Sequence, residues 1–381
     1  MSVFGAGRPF IRCSRCVMDT TVDSAIAFDE GGVCNHCRRY DQLHASRVAA
    51  GEAGRRALAG IVEKIKRAGR NRDYDCIIGV SGGVDSTYVA YLVRKLGLRA
   101  LAVHFDNGWN SELAVKTVEQ VLNKLGIDLY TYVVDWPEFR DLQVAFLKAS
   151  TPDGEIPTDH AINALLWREA SRRRVRYIIS GMNFATESIS IPEWAYGHSD
   201  WRYIRDIHRR FGTAKLKSYP HFSLAYLFFI NVIRGVRTVS LLNYVDYSKE
   251  DAMTILQKEL GWRSYGGKHH ESIYTRFYQG YLLPRKFGID KRYGHLSDLI
   301  NAGQKSRGDA LQELSEPPYQ QELQRQDLAY VTKKLGLSVG QFEEIMQTPK
   351  RSFREFSNSY GLVQFMRNTV NGFRRRGLYP K

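Results

Sequence analysis

Long apolar runs are missing from this chain. Nowhere in its 381 residues does it approach the roughly 18 consecutive apolar residues that a membrane-spanning helix needs. The longest candidate, Phe222 to Ile233, is too short and contains Asn231. Met1 to Phe10 lacks the apolar centre of a secretory signal. Internal repeats and low-complexity tracts are also absent, which removes repeat architectures from consideration. Cysteine is scarce: there are five, four within the first 37 residues and the fifth at Cys76. An odd, clustered set without a signal sequence argues against a disulfide framework. These absences predict a soluble, cytoplasmic protein with no transmembrane segment.

Acidic residues are outnumbered, 40 against 55 Lys and Arg, for a formal charge of +15. Such a balance suits nucleic acid, anionic membranes and phosphorylated small molecules alike. The cations concentrate at Arg172–Arg174, Arg202–Lys217 and Arg374–Arg376, and no block is long enough to form a disordered basic arm. The charge therefore reads as solvated faces around an anionic substrate, with no nucleic acid expected. A hydrophobic content of 43% is enough for a sizeable core.

Three regions are expected: residues 1–44, short and Cys-rich; 45–260, an α/β domain; and 261–381, helical. Short apolar runs at Cys76–Val80, Ala100–Phe105, Leu129–Val134 and Tyr177–Ser180 alternate with amphipathic stretches at Ser86–Leu96, Ser111–Leu125 and Asp159–Arg173. That alternation predicts βαβ units and a buried parallel sheet. From about residue 200 the pattern turns helical. Asp251–Leu260 stops at Gly261, and Ser338 with Gln341 reads as a capping box opening a helix to Met346.

Cys13-Ser-Arg-Cys16 and Cys34-Asn-His-Cys37 are two C-x₂-C knuckles separated by 17 residues. Each knuckle points two thiolates at one place, and two knuckles supply the four sulfurs of a tetrahedral zinc site. Four sulfurs leave no open position for water, so the predicted zinc is structural. His36, inside the second knuckle, is read as a bystander.

The strand Asp73–Val80 runs into Ser81-Gly-Gly-Val-Asp-Ser86 and then a helix. Gly82 and Gly83 let the backbone approach an anion, and the helix N-terminus offers unpaired N–H groups with partial positive charge. Ser81 and Ser86 add hydroxyl donors. The lysine of the other common phosphate loop, Gly-Lys-Ser/Thr, is absent. Further on, Gly266-Gly-Lys268-His269-His270-Glu271-Ser272 precedes Lys286, Lys291 and Arg292. Lysines aimed at a departing polyphosphate would stabilise its developing charge, which makes Lys268, Lys286 and Lys291 catalytic candidates. Arg202, Arg205 and Arg209 fall on one helix face, suited to an anionic substrate. His104, inside an apolar strand, reads as a packed core histidine, and Cys76 as a packed thiol.

The hexapeptide at 81–86 resembles the signature of the ATP pyrophosphatase superfamily, the PP-loop enzymes with a HUP-like (adenine nucleotide alpha hydrolase) fold, which includes GMP synthetase, NAD synthetase and asparagine synthetase. The resemblance implies that Ser81, Gly82, Gly83, Asp85 and Ser86 hold pyrophosphate. It implies that ATP is cleaved to AMP after adenylating a carbonyl oxygen. Gly181-Met-Asn183-Phe-Ala-Thr-Glu187 resembles a second motif of the amide-forming members. It makes Asp85 and Glu187 the implied Mg²⁺ ligands and Gly181 and Asn183 part of the nucleotide site. Asp106, Asn107 and Gly108, at the end of the second strand, stand where this fold places adenosine.

A closer resemblance rests on Cys13–Thr20, Gly32–Cys37, Trp201–His208 and Gly267–Gln279. It is to the bacterial N-acetyl sugar amidotransferases of surface-polysaccharide synthesis, the WbpG/PseA type. It implies conversion of an acetamido group on an anionic nucleotide sugar to an acetamidino group, with Arg202, Arg205, His269 and Arg292 toward the substrate. It also implies a separate HisH-like glutaminase subunit as ammonia source, with or without a HisF-like protein. The alternative, a PP-loop tRNA thiolation enzyme, usually needs catalytic cysteines beyond a zinc set, and here only Cys76 remains.

Overall fold

A computed structural model describes residues 9–49, 51–267, 270–365 and 368. Its frame is one sheet of five strands: β1 (Cys76–Gly79), β2 (Ala100–Asp106), β3 (Asp128–Val133), β4 (Tyr177–Ser180) and β5 (Arg237–Ser240). They lie in the order β3-β2-β1-β4-β5, and every pairing is parallel. The chain winds outward from β1 to β3, then returns to place β4 on the other side of β1. The β1/β4 boundary is therefore the switch point of the sheet, where ligands enter α/β folds at the carboxyl ends of strands.

The alternating faces of the strands feed two cores. Ile77, Leu101, Val103 and Ile178 pack on one side, and Cys76, Ile78, Ala100, Ala102 and Ile179 on the other. Burial on both faces is why these strands read as continuous apolar runs, without polar alternation. β5 was not foreseen, because a helical region was expected there. Arg-Thr-Val-Ser is short, lies at the sheet edge and is half exposed, so it carries no apolar signal.

The expected helices are present with shifted ends. Glu112–Leu125 is capped by Ser111, whose side chain accepts from the Ala114 N–H, and closed by Gly126 at φ 61°. Ser338 and Gln341 form the reciprocal capping box on Val339–Gln347. The N-terminal knuckles and the C-terminal helices join one core: Cys13, Met18 and Ile26 belong to the same packed cluster as Phe277, Phe342 and Phe356. Among the described residues, no helix is long and apolar enough to cross a membrane.

Candidate active site

The phosphate loop is held by its own hydroxyls. The Ser81 N–H donates to Ser86 Oγ at 3.2 Å, the Gly83 N–H to Ser81 Oγ at 3.2 Å, and the Ser86 hydroxyl to the Gly83 carbonyl at 3.1 Å. Gly82 takes φ +88°, a region open to glycine. This turns its carbonyl outward, to accept from Trp262 Nε1 at 2.9 Å and the Tyr265 hydroxyl at 3.1 Å. The helix Val84–Lys95 begins immediately after, with no side chain capping its first turn. Uncapped N–H groups and the helix dipole make this a place for an anion.

β4 brings the second motif against the first. A Cβ on Gly181 would lie 3.1 Å from the Ser86 nitrogen and 3.2 Å from its Cα, so glycine is what allows the two loops to meet. Asn183 Oδ1 accepts from the Thr186 N–H at 2.9 Å and the Thr186 hydroxyl at 3.0 Å, forming the turn that delivers Glu187. Asp85 accepts from the Tyr247 hydroxyl. Burial, with the Asp85 and Glu187 carboxylates nearby, pushes the Tyr247 phenol well above its usual range and keeps it a donor.

These residues open into a cavity of about 640 Å³. Ser81, Gly83, Asp85, Ser86, Gly181 and Glu187 form one wall. The C-terminal region forms the other, with Glu271, Arg276, Gln279, Lys291, Arg292 and His295. Glu271, to which the sequence assigns no role, faces the phosphate loop across the cavity. Its Oε1 lies 3.5 Å from Ser81 Oγ and would be 2.9 Å from a Cβ on Gly83. Its backbone is stitched to the turn after β2: the Ser111 N–H donates to the Glu271 carbonyl at 3.0 Å, and the Ile273 N–H to the Trp109 carbonyl at 2.9 Å. Lys249 and Arg276 also line the cavity. No motif flagged Lys249, because its partners are remote in sequence.

Several expected residues stand elsewhere. Lys286 does not line the cavity. It is buried, and its ammonium donates to the carbonyls of Ile345 and Thr348 at the end of the helix Val339–Gln347, so it caps that helix. Burial, with Lys350 nearby, lowers its pKa to about 8. Asp106, Asn107 and Gly108 form a closed turn outside the cavity lining. Asp106 Oδ1 accepts the Gly108 N–H at 2.8 Å, Asn107 Nδ2 donates to Thr158 Oγ1 at 3.2 Å, and Lys334 donates to the Gly108 carbonyl. Asn183 and Gly82 support the site from behind.

The basic helix is also displaced from the site. Arg202 and Arg205 lie on the exposed face of Trp201–Phe211, away from the cavity, while Tyr203, Ile204 and Ile207 hold its inner face in the core. Arg209 and Arg210 both pair with Asp206 at 2.7 Å. Lys291 lines the cavity with its ammonium 3.2 Å from Glu155 Oε2. Arg292 also lines it, but its guanidinium donates to Asp290 and to the carbonyls of Glu313 and Glu316. It therefore shapes the wall and has few donors left for a ligand. Lys268 and His269 lie outside the described residues.

The four N-terminal cysteines converge as expected. All four Sγ atoms lie within 4.8 Å of one another, with Cys13–Cys37 at 4.0 Å and Cys16–Cys34 at 3.7 Å. A tetrahedral ion with Zn–S bonds of about 2.3 Å requires sulfurs about 3.8 Å apart, so the cluster fits zinc. N–H groups of Cys16 and Cys34 point at Cys13 Sγ, at 3.4 and 3.2 Å, which suits thiolate. His36 instead contacts Asp23 at 2.7 Å. Cys76 is fully buried, and burial raises its thiol pKa. His104 is a packed residue: its Nδ1 donates to the Val80 carbonyl at 2.8 Å, and its Nε2 accepts from Asn110 at 3.0 Å.

Two family models match. One, described as LPS biosynthesis protein WbpG-like, C-terminal domain, covers residues 271–369. The other, NAD synthase, covers residues 55–153. A GMP synthase [glutamine-hydrolyzing] of Pyrobaculum aerophilum is 43% identical over 73 residues, 19% of this chain and 14% of that protein. A tRNA(Ile)-lysidine synthase of Chlamydia pneumoniae is 34% identical over 71 residues, 18% of this chain and 22% of that protein. The chain thus spans less than a quarter of either relative. Among solved structures, an NMN synthetase from Francisella tularensis aligns over 80% of this chain and 97% of its own, at 14% identity and a TM-score of 0.31. The NAD synthase match carries the phosphate loop and the WbpG-like match carries the facing wall of the cavity; the chain joins an NAD synthase-like pyrophosphatase-loop region to a WbpG-like C-terminal region.

Proposed function

We propose that this protein is an ATP-dependent amidotransferase that converts the acetamido group of a nucleotide-linked or related sugar to an acetamidino group, releasing AMP and pyrophosphate. The observation that carries this reading is the shared cavity, with a phosphate loop on one wall and the WbpG-like region on the other. An amide carbon is a poor electrophile and its oxygen a poor leaving group. Attack of the amide oxygen on the α-phosphorus of ATP, with departure of pyrophosphate, removes both obstacles. Ammonia then adds to the imidate carbon, and AMP departs with the former amide oxygen.

The residues divide this work. Ser81, Gly83 and Ser86, with the uncapped helix N-terminus, bind and orient the departing pyrophosphate. Asp85 and Glu187 are hard oxygen donors on the same wall and suit Mg²⁺, which would neutralise the phosphates when bound. Arg276, Lys291 and Gln279 line the opposite wall and are assigned to the sugar. Arg276 is braced by Asp327 through two bonds of 2.8 Å, and Lys291 and Gln279 by Glu155. Ion-paired cations and carboxylates hydrogen-bond hydroxyls readily.

Ammonia is assigned to a separate HisH-like glutaminase. The chain's own thiols are buried or belong to the four-cysteine cluster, which leaves no nucleophile for hydrolysing glutamine at a cysteine. The same fact weighs against tRNA thiolation. The test is to incubate the protein with ATP, Mg²⁺, ammonium and a UDP-linked diacetamido uronic acid. The expected products are AMP and a sugar with NH in place of one oxygen. AMP release with tRNA and a sulfur donor, and none with any acetamido sugar, would overturn the reading.

A further inference from the structure

Between Phe211 and Asp246 the chain has no Asp or Glu, and within this stretch an apolar face lies open. The helical turns Leu224–Phe228 and Phe229–Ile233 run on as one rod before β5. Phe228, Phe229, Val232 and Ile233 are 60%, 39%, 61% and 65% exposed. Their spacing puts them on one side of the rod, while Ile230 is fully buried in the core opposite. The rod's only polar side chain beyond a tyrosine, Asn231, donates its amide back to the Leu227 carbonyl at 2.9 Å. Arg234 and Arg237 follow, both exposed. The Arg234 guanidinium lies 5.5 Å over the Phe229 ring.

Such a face calls for a cover, and its chemistry selects one. Between Glu187 and Lys249 no residue lines the cavity, so the face is no entrance for ammonia. A twofold contact with a second copy would bring Arg234 and Arg237 toward their own symmetry mates, with no acid in the stretch to pair them. A protein partner would ordinarily exchange about one hydrogen bond per 100–200 Å², and between Phe228 and Ile233 the one polar side chain, Asn231, is already turned back on the rod's own backbone. Acyl chains require none, and lipid phosphates are the acceptors that Arg234 and Arg237 lack locally.

We propose that this face seats the protein on an anionic phospholipid surface, with Phe228, Phe229, Val232 and Ile233 entering the interface and Arg234 and Arg237 meeting the phosphates. The test is sedimentation of the full-length protein with phosphatidylcholine vesicles, with or without about a third phosphatidylglycerol to give the surface the negative potential that attracts basic segments. The expected result is binding to the anionic vesicles only, weakened by salt. Phe228→Ser with Val232→Ser, and separately Arg234→Glu with Arg237→Glu, should each lower the bound fraction about tenfold or more. Both variants should retain the wild-type AMP-forming rate in solution. Failure to bind anionic vesicles, or binding untouched by both variants, would overturn the proposal. So would a wild-type oligomer or protein complex that the same substitutions dissolve.

Discussion

The Asp298 carboxylate accepts the backbone N–H groups of Ser188 and Ile189, both at 3.0 Å, directly after Glu187. It also accepts the Ser188 hydroxyl. Asp298 is 1% exposed and sits 110 residues from Ser188, so it acts as a positioning residue for the loop that aims Glu187. On the Mg²⁺ role proposed for Glu187, Asp298→Asn should fold, bind zinc normally and release AMP about 10- to 100-fold more slowly, the range for losing outer support of a metal ligand. Its requirement for Mg²⁺ should rise. Wild-type Mg²⁺ dependence and rate in this variant would remove Asp298 from the account.

The cysteine knuckles reach the helix that carries Asp298, Arg292–Asn301, and the one after it, Arg307–Ser315. The Val17 N–H donates to Ser297 Oγ at 3.4 Å, and Arg307 donates to the carbonyls of Cys16 and Cys13 at 3.1 and 3.0 Å. Replacing Cys16 or Cys34 by Ser should release zinc and lower the unfolding temperature, because metal binding and folding are coupled in a module this small. Metal content is read by elemental analysis and stability by calorimetry. Full zinc occupancy in either variant would contradict the four-sulfur site.

Gly181→Ala places a methyl 3.1 Å from the Ser86 nitrogen, where the neighbour is backbone and cannot swing aside. The phosphate loop should shift by a few tenths of an ångström, lowering kcat/KM for ATP by about tenfold, less than the roughly hundredfold cost of a misplacement of about 1 Å. Gly60, exposed in the helix Gly51–Gly69 with nothing within 4 Å of a new Cβ, is a control in which the added methyl meets no neighbour.

Most of the frame was legible in the sequence, and the reasons are local. Strands β1, β2 and β4 are buried on both faces and so appear as apolar runs, the half-exposed edge strand β3 shows through its Leu, Tyr and Val residues, and the loop at 81–86 is a contiguous backbone motif. The cysteine spacing is local as well. The unread parts depend on partners far along the chain. Lys286 looked like a phosphate ligand, but its ammonium meets Ile345 and Thr348. Arg202 and Arg205 share a helix face that turns outward. Glu271 enters the site because residues 271–273 pair with 109–111, a contact no periodicity announces.

His160 gives a pH signature independent of the active site. It is fully buried and stacked on Phe222 at 4.0 Å. Its Nδ1 donates to the His198 carbonyl at 2.7 Å, and its Nε2 accepts the Phe222 N–H at 3.2 Å, so the ring is held neutral. Burial lowers its pKa from 6.5 to about 4. Below pH 6.5 the unfolded chain takes up this proton and the native chain does not, so stability is lost as pH falls from 6.5 toward 4. The full contribution is about 3 kcal/mol by linkage. In His160→Gln the fall in unfolding free energy across that window should be shallower by a comparable amount. An unchanged slope in denaturant titrations at stepped pH would contradict it.

The central claim is that ATP activates the oxygen of a sugar amide. It is tested most directly by labelling the acetamido carbonyl with a heavy oxygen isotope and following the label by mass spectrometry. The account predicts that the heavy oxygen leaves the sugar and appears in the phosphate of AMP, in step with amidine formation. It also predicts that Asp85→Asn and Glu187→Gln suppress both products together. Label remaining on the sugar while AMP accumulates, or ADP formed in place of AMP, would contradict it.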